Sequence, residues 1–419
     1  MQQLEFTSKH IDNHIFRLEN GIRVILHPQQ STITHTCMLI NAGSGDEVEG
    51  KFGVAHFIEH MLFKQTERRS TNQILDRLES VGGDLNAYTT KEYTCIHASI
   101  LKPYLNRALD LFEDIIFHST FPENEIEKEK GVILDEMASY LDSPEDAIID
   151  DFEDLIFKNS SLGHNILGLE NDLKGIQRED LLTFIESNYS TEDIVIGIAG
   201  DYTKQNVEKL ANKFFGKLPL RQAEKTNADT IVNIGEHVEV VKPINQAHYI
   251  LGTQAYGIQD DRKTGLLLLN NQLGGLGMSS ILNLSIREKH GIAYTIESNY
   301  SLYSNTGLFN IYLGTDEEKI EKAKKLIWKE LNKLKAAPIS ESQLNKVKNK
   351  FKGQIALAEE NRMSMIITEA KNLLDYNQII TLDEVFRKID EVTPQLIFEI
   401  STDIFDESKM TSLTFLPEE

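Results

Sequence analysis

The densest chemistry in the chain sits in five residues, His56-Phe57-Ile58-Glu59-His60. On a helix, positions i, i+3 and i+4 fall within an arc of about 100°, so His56, Glu59 and His60 share one face. Two imidazoles one turn apart can chelate a single metal ion. The carboxylate between them faces the same space without having to be a ligand, which is the order of the inverted zincin motif. With 12 histidines and 65 acidic residues in 419, this pattern is expected about 0.05 times by chance. Ala55, Phe57, Ile58, Met61 and Leu62 surround it with apolar residues, so the helix reads as buried. A buried face carrying two histidines and a glutamate needs polar partners, and a metal supplies one.

A catalytic zinc takes a third protein ligand and keeps one position open. Two candidates stand on a helix expected over Glu123–Leu141: Glu129 and Glu136, two turns apart and on one face. The apolar run Gly131-Val-Ile-Leu134 places Glu136 in an inner environment. Glu123, Glu125 and Glu127 read instead as a solvated acidic face.

The elements that position these residues follow from pattern. Phe16–Glu19, Asn20-Gly21 and Ile22–Leu26 read as strand, type I′ turn and strand, with another strand at His35–Asn41. The motif helix covers Val54–Lys64, and a capping box at Ser70-Thr-Asn-Gln73 opens a helix that Gly82-Gly83 stops. Strands at Asp84–Thr90 and Tyr93–Leu101 precede helices at Tyr104–His118, Glu123–Leu141, Pro144–Phe157 and Arg178–Asn188, and a strand at Ile194–Ala199 closes the half.

From about residue 236 much of this order recurs, with helices expected near Ser279–Lys289 and Pro394–Ile404 among others, and Phe121-Pro122-Glu123 matches Ala337-Pro338-Ile339. The repeat has a period of about 210 residues. The expected architecture is therefore α+β: two tandem homologous domains, 1–219 and 236–419, each a mostly antiparallel sheet packed with helices, joined by a polar linker at 220–235. In the second copy the matching helix, Thr264–Leu273, has neither His nor Glu, and Lys352 stands where Glu136 stands in the first. That copy cannot build the same metal site.

Composition sets the outer bounds. Acidic residues outnumber basic ones 65 to 43, a formal charge of −22, which disfavours nucleic acid and anionic membranes and mildly favours basic partners. No apolar run approaches the roughly 18 residues of a membrane span. Met1–His10 lacks the basic and apolar regions of a secretion signal, so a cytoplasmic protein is expected. Two cysteines, Cys37 and Cys95, make no disulfide scaffold.

His56-Phe-Ile-Glu59-His60, Met61-Leu-Phe-Lys64 and Glu136, with Gly82-Gly83, Asn86-Ala87-Tyr88-Thr89 and Arg287-Glu-Lys-His-Gly-Ile-Ala-Tyr294, resemble the pitrilysin/insulinase family of zinc metallopeptidases. The length is similar to the short branch that includes mitochondrial processing peptidase subunits and bacterial relatives. Gln65, where the family usually has Gly, is a departure that changes no ligand. The resemblance implies one zinc per chain on His56, His60 and Glu136, with Glu59 as general base and Glu129 as a supporting carboxylate. It further implies that Asn86 and Ala87 contact an extended peptide along a strand edge, and Phe63 is a candidate to line a subsite. Arg287 and Tyr294 would reach substrate and oxyanion from the other half of a clamshell. Carrying both sets on one chain implies a homodimer with composite sites, cleaving peptides or unfolded segments in a chamber. The alternative is a non-catalytic or partner-dependent subunit of the same family.

Overall fold

A computed structural model describes residues 13–158, 160–223 and 235–418. The N-terminal stretch read for targeting, and residues 224–234 of the expected linker, lie outside the described residues.

Six strands form the first sheet: β1 (His14–Arg17), β2 (Arg23–Pro28), β3 (Ile33–Ile40), β4 (Asp84–Thr89), β5 (Thr94–Leu101) and β6 (Ile194–Gly200), ordered β1-β2-β6-β3-β5-β4. The second comprises β7 (His237–Lys242), β8 (Ala247–Ala255), β9 (Ala293–Leu302), β10 (Gly307–Thr315) and β11 (Thr411–Pro417), ordered β7-β11-β8-β10-β9. Without β1 the orders coincide strand for strand. In each, the first and last strands of the copy pair in parallel and every other pairing is antiparallel. The chain is thus an α+β duplication.

The helices of the first half are α1 (Val54–Leu62), α2 (Thr71–Glu79), α3 (Leu105–Phe117), α4 (Glu123–Leu141), α5 (Pro144–Ile156), α6 (Glu170–Gly175), α7 (Arg178–Asn188) and α8 (Lys204–Phe214). Those of the second are α9 (Lys263–Leu273), α10 (Ile320–Ala336), α11 (Glu341–Ala358), α12 (Arg362–Tyr376), α13 (Leu382–Glu391) and α14 (Pro394–Ile404). α2 opens on the expected capping box, with the Ser70 N–H donating to Gln73 Oε1 at 2.9 Å. α8 escaped the sequence reading because its Lys- and Asn-rich run buries only Val207 and Ala211.

The compact units are not contiguous in sequence, unlike the expected 1–219 and 236–419. One holds residues 13–137, 165–223 and 357–383; the other holds the segment from Ala138 to His164 with 235–356 and 384–418. Helices α5 and α12 are responsible. In the second unit, Ile148, Phe152 and Ile156 of α5 pack on Ile250, Tyr312, Leu413 and Phe415 of the second sheet. In the first unit, Ile366, Ala370 and Leu373 of α12 pack on Ile25, Cys37, Leu39 and Val195 of the first. Each large aliphatic or aromatic side chain buried in this way contributes about 1.5–3 kcal/mol. An apolar stripe declares that a helix must cover something, but it does not say which of two homologous sheets.

Three local expectations are corrected. The first hairpin pairs Arg17 with Arg23, so the loop is longer than a two-residue type I′ turn. Gly21 has φ +95°, but Asn20 stays out of the left-handed region, and its buried amide donates to the Phe215 and Leu218 carbonyls. The helix expected over Ser279–Lys289 runs as a π-helix at Asn283–Glu288, with the Lys289 N–H reaching back to the Leu284 carbonyl. In α4 only Ile126, Glu129 and Ile133 are buried, and Val132 is exposed, so the apolar run does not enclose Glu136.

Candidate metal centre

α1 is fixed at its N-terminal end before its side chains are considered. Gly53, its N-cap, has φ +95° and passes so close to the Leu167–Gly168 backbone that a Cβ would meet the Leu167 oxygen at 2.5 Å. Gly168 makes the reciprocal approach, where a Cβ would meet the Phe52 oxygen at 2.1 Å. The buried Glu47 carboxylate supplies the cap that Gly53 cannot, accepting from the Gly53 and Ala55 N–H groups at 2.8 Å each. A carboxylate there also complements the positive end of the helix dipole. Val54, Ala55, Phe57, Ile58, Met61 and Leu62 are buried, with α1 packed against α7 and β4, which leaves His56, Glu59 and His60 on one arc.

Three of the expected residues meet. Ligand atoms of His56, His60 and Glu136 lie within 4.8 Å of one another, the one such group among the described residues. Glu136 Oε2 is 3.8 Å from His56 Nε2 and 3.6 Å from His60 Nε2. Atoms bound at 2.0–2.2 Å around a tetrahedral ion stand about 3.4 Å apart, and two imidazoles with one carboxylate form a donor set of catalytic zinc sites. Burial, reinforced by the neighbouring His60, lowers the His56 pKa to about 3, so His56 is the neutral imidazole that ligation requires. The donor set therefore fits a zinc ion.

Glu59 stands beside these groups. Burial raises its carboxyl above the ordinary range, partly offset by a hydrogen bond from the Thr89 hydroxyl to Oε2 at 2.6 Å. That bond ties α1 to β4, the end strand of its sheet. Glu129 lies deeper: it is 8% exposed at the side chain, its Oε2 is 3.2 Å from His60 Nδ1, and its Oε1 is 2.5 Å from Lys64 Nζ. Glu136 is 36% exposed. The two residues share a helix face with their backbone positions about 10 Å apart along the axis, and their carboxylates reach opposite ring nitrogens of His60, Glu129 from the interior and Glu136 from the rim.

The remaining candidates are placed as follows. Asn86 is exposed on β4 and donates to Asp84 at 3.1 Å. Ala87 and Phe63 are half-buried and pack against the core of the first unit. Arg287 and Tyr294 belong to the second unit and are both exposed. Arg287 stands on the π-helix, 3.5 Å from Asn283 Oδ1, and lines a cavity of 460 Å³ with Asn270, Asn271 and Phe351. Sequence reasoning missed Glu47 and Thr89. Thr89 had a signal, since strand alternation puts it on the same side as Ala87; Glu47, outside any regular element, had none.

The chain has counterparts among known proteins. A model described as insulinase (peptidase family M16) matches residues 23–170, and one described as peptidase M16 inactive domain matches 175–351. A Bacillus subtilis (strain 168) protein named as the uncharacterized zinc protease YmxG is 33% identical over 95% of this chain and 97% of its own. The chain belongs to peptidase family M16, the pitrilysin/insulinase family. The mitochondrial-processing peptidase subunit beta of Bos taurus is 30% identical over 93% of this chain and 82% of its own. In fold, this M16 chain is similar to a Helicobacter pylori protease, with a TM-score of 0.89 at 22% identity over 97% of this chain and 99% of the other. The match of the inactive-domain model agrees with the second copy's own residues, where α9 offers no histidine or glutamate.

Proposed function

We propose that this chain is a zinc-dependent endopeptidase acting on peptides or unfolded polypeptide segments. The observation that carries the reading is the convergence of His56, His60 and Glu136 beside a Glu59 that Thr89 holds in place. Relatives named as zinc proteases support it. A zinc ion on these three residues would supply a Lewis acid for a carbonyl oxygen and lower the pKa of a water towards 7. The chain's own residues do the rest. Glu59 accepts a proton from the attacking water and returns it to the leaving amine, and its raised pKa makes it a better base than an exposed glutamate. The outer edge of β4, with Asn86 and Ala87, offers backbone groups to which an extended peptide adds as a further strand. Arg287 and Tyr294 carry a cation and a phenol suited to developing negative charge, and a homodimer would let one chain's pair serve another chain's centre.

The test is cleavage of a diverse peptide library by the full chain after chelation and after zinc is restored. Activity lost with the metal and regained with zinc is expected; equal cleavage by metal-free protein would refute the reading. The relative named as a subunit favours a second version, in which a partner chain is needed. Size-exclusion chromatography of the active fraction separates the two, since a homodimer contains this chain alone.

A further inference from the structure

Lys64 stands two residues beyond the end of α1, in a turn held from several sides. Its N–H bonds to the Met61 carbonyl at 3.2 Å, and its own carbonyl accepts from the Thr71 hydroxyl. The loop that follows is pinned by bridges between Gln65 and Ser70 and between Thr66 and Ser119. Arg68 and Arg69 then pair with the wholly buried Asp114 of α3, with Arg68 Nε 2.7 Å from its Oδ1. Lys64 Nζ lies 2.5 Å from Glu129 Oε1, while Glu129 Oε2 is 3.2 Å from His60 Nδ1, and His60 Nε2 in turn is 3.6 Å from Glu136 Oε2. Two close contacts therefore link Lys64 through Glu129 to His60, whose other ring nitrogen lies in the ligand cluster.

Burying the Glu129 carboxylate carries a desolvation cost that a cation with good geometry offsets. With one oxygen on an ammonium and the other on an imidazole, the carboxylate has its orientation set at both ends. We infer that Lys64 is a positioning residue for the metal centre. It holds Glu129 so that Glu129 accepts from His60 Nδ1–H, which leaves His60 Nε2 as the bare nitrogen turned towards Glu136 and the metal. Carboxylates bonded to ligating histidines orient them and tune their basicity, and Lys64 adds the group that orients the carboxylate. This inference rests on the zinc reading above.

The experiment measures the zinc affinity of the full chain by competition with a chromophoric chelator, for the parent, K64M, K64R, E129Q and K64M/E129Q. Outer-shell substitutions weaken metal binding about 10–100-fold. K64M is expected near the lower end, about tenfold, and because it leaves the buried Glu129 carboxylate without its cation the metal-free chain should also melt lower, a loss that K64M/E129Q recovers. K64R, which keeps the charge, should recover most of the affinity, and K64M/E129Q should bind zinc no more weakly than E129Q alone. K64M binding zinc within twofold of the parent, or a double variant whose losses multiply, would overturn the role of Lys64. So would a K64R chain that restores stability but not affinity. A parent chain that takes up no zinc refutes the functional reading itself, and so the two failures are told apart.

Discussion

Two copies of one strand order carry opposite chemistry on equivalent helices. In the first, α1 presents His56, Glu59 and His60, and α4 brings Glu136 to them. In the second, α9 buries Leu266, Leu268, Leu269 and Leu273. There α11 has Lys352 at the place of Glu136, bonded to Asp390 of α13 at 2.8 Å, while the buried Lys348 donates to the Asp390 carbonyl at 2.8 Å. The face that holds a ligand in one copy fastens a helix in the other. The architecture therefore demands only that the face be satisfied, and ligation is a property of the side chains grafted on it.

Making the first copy resemble the second is the strongest way to test this contrast. Glu136→Lys places an ammonium where a ligand oxygen stands, and zinc uptake measured by metal analysis should fall to background, with activity. Next in size is Glu59→Gln, which should keep zinc and the fold but lower kcat by about 10²–10⁴, as loss of a general base does; near-parental turnover would remove Glu59 from the mechanism. The exchanged helices give a matched pair. Ile366→Ala and Ile148→Ala should each cost about 2–5 kcal/mol. Hydrogen exchange should show lost protection in β3 and β6 for the first and in β8 and β11 for the second, and the opposite assignment would break the account of the exchange. Glu47→Ala removes the cap of α1 and should cost about 0.5–2 kcal/mol in denaturant titration. The smallest effect is Lys352→Met, about 1 kcal/mol or less for a partly exposed ion pair, with zinc affinity unchanged because the equivalent positions of the second copy lack the ligand set.

Much of this was legible beforehand where one residue pattern has one physical solution. The spacing of His56, Glu59 and His60 puts them on one arc of any helix. The capping box at Ser70 and the bounds of α4, α7 and α14 read directly from cap chemistry and periodicity. The illegible parts are those where a local pattern is satisfied in more than one way. Asn20-Gly21 suits a type I′ turn, but the Asn20 amide was needed by two carbonyls about 200 residues away in sequence. Gly131–Leu134 is apolar without being enclosed, because depth along α4 depends on what packs beside it.

The sequence by itself determined the duplication, the α+β class and the placement of His56, Glu59 and His60 on one arc, because periodicity and spacing are local and do not depend on neighbours; Glu136 joined that set only through the family resemblance. Tertiary structure alone decided that α5 and α12 change places, that Glu129 is the deep carboxylate and Glu136 the rim one, and that Glu47, Thr89 and Lys64 hold the centre in place. Those outcomes depend on which surfaces meet, and side chains brought together from distant parts of the chain leave no period to read.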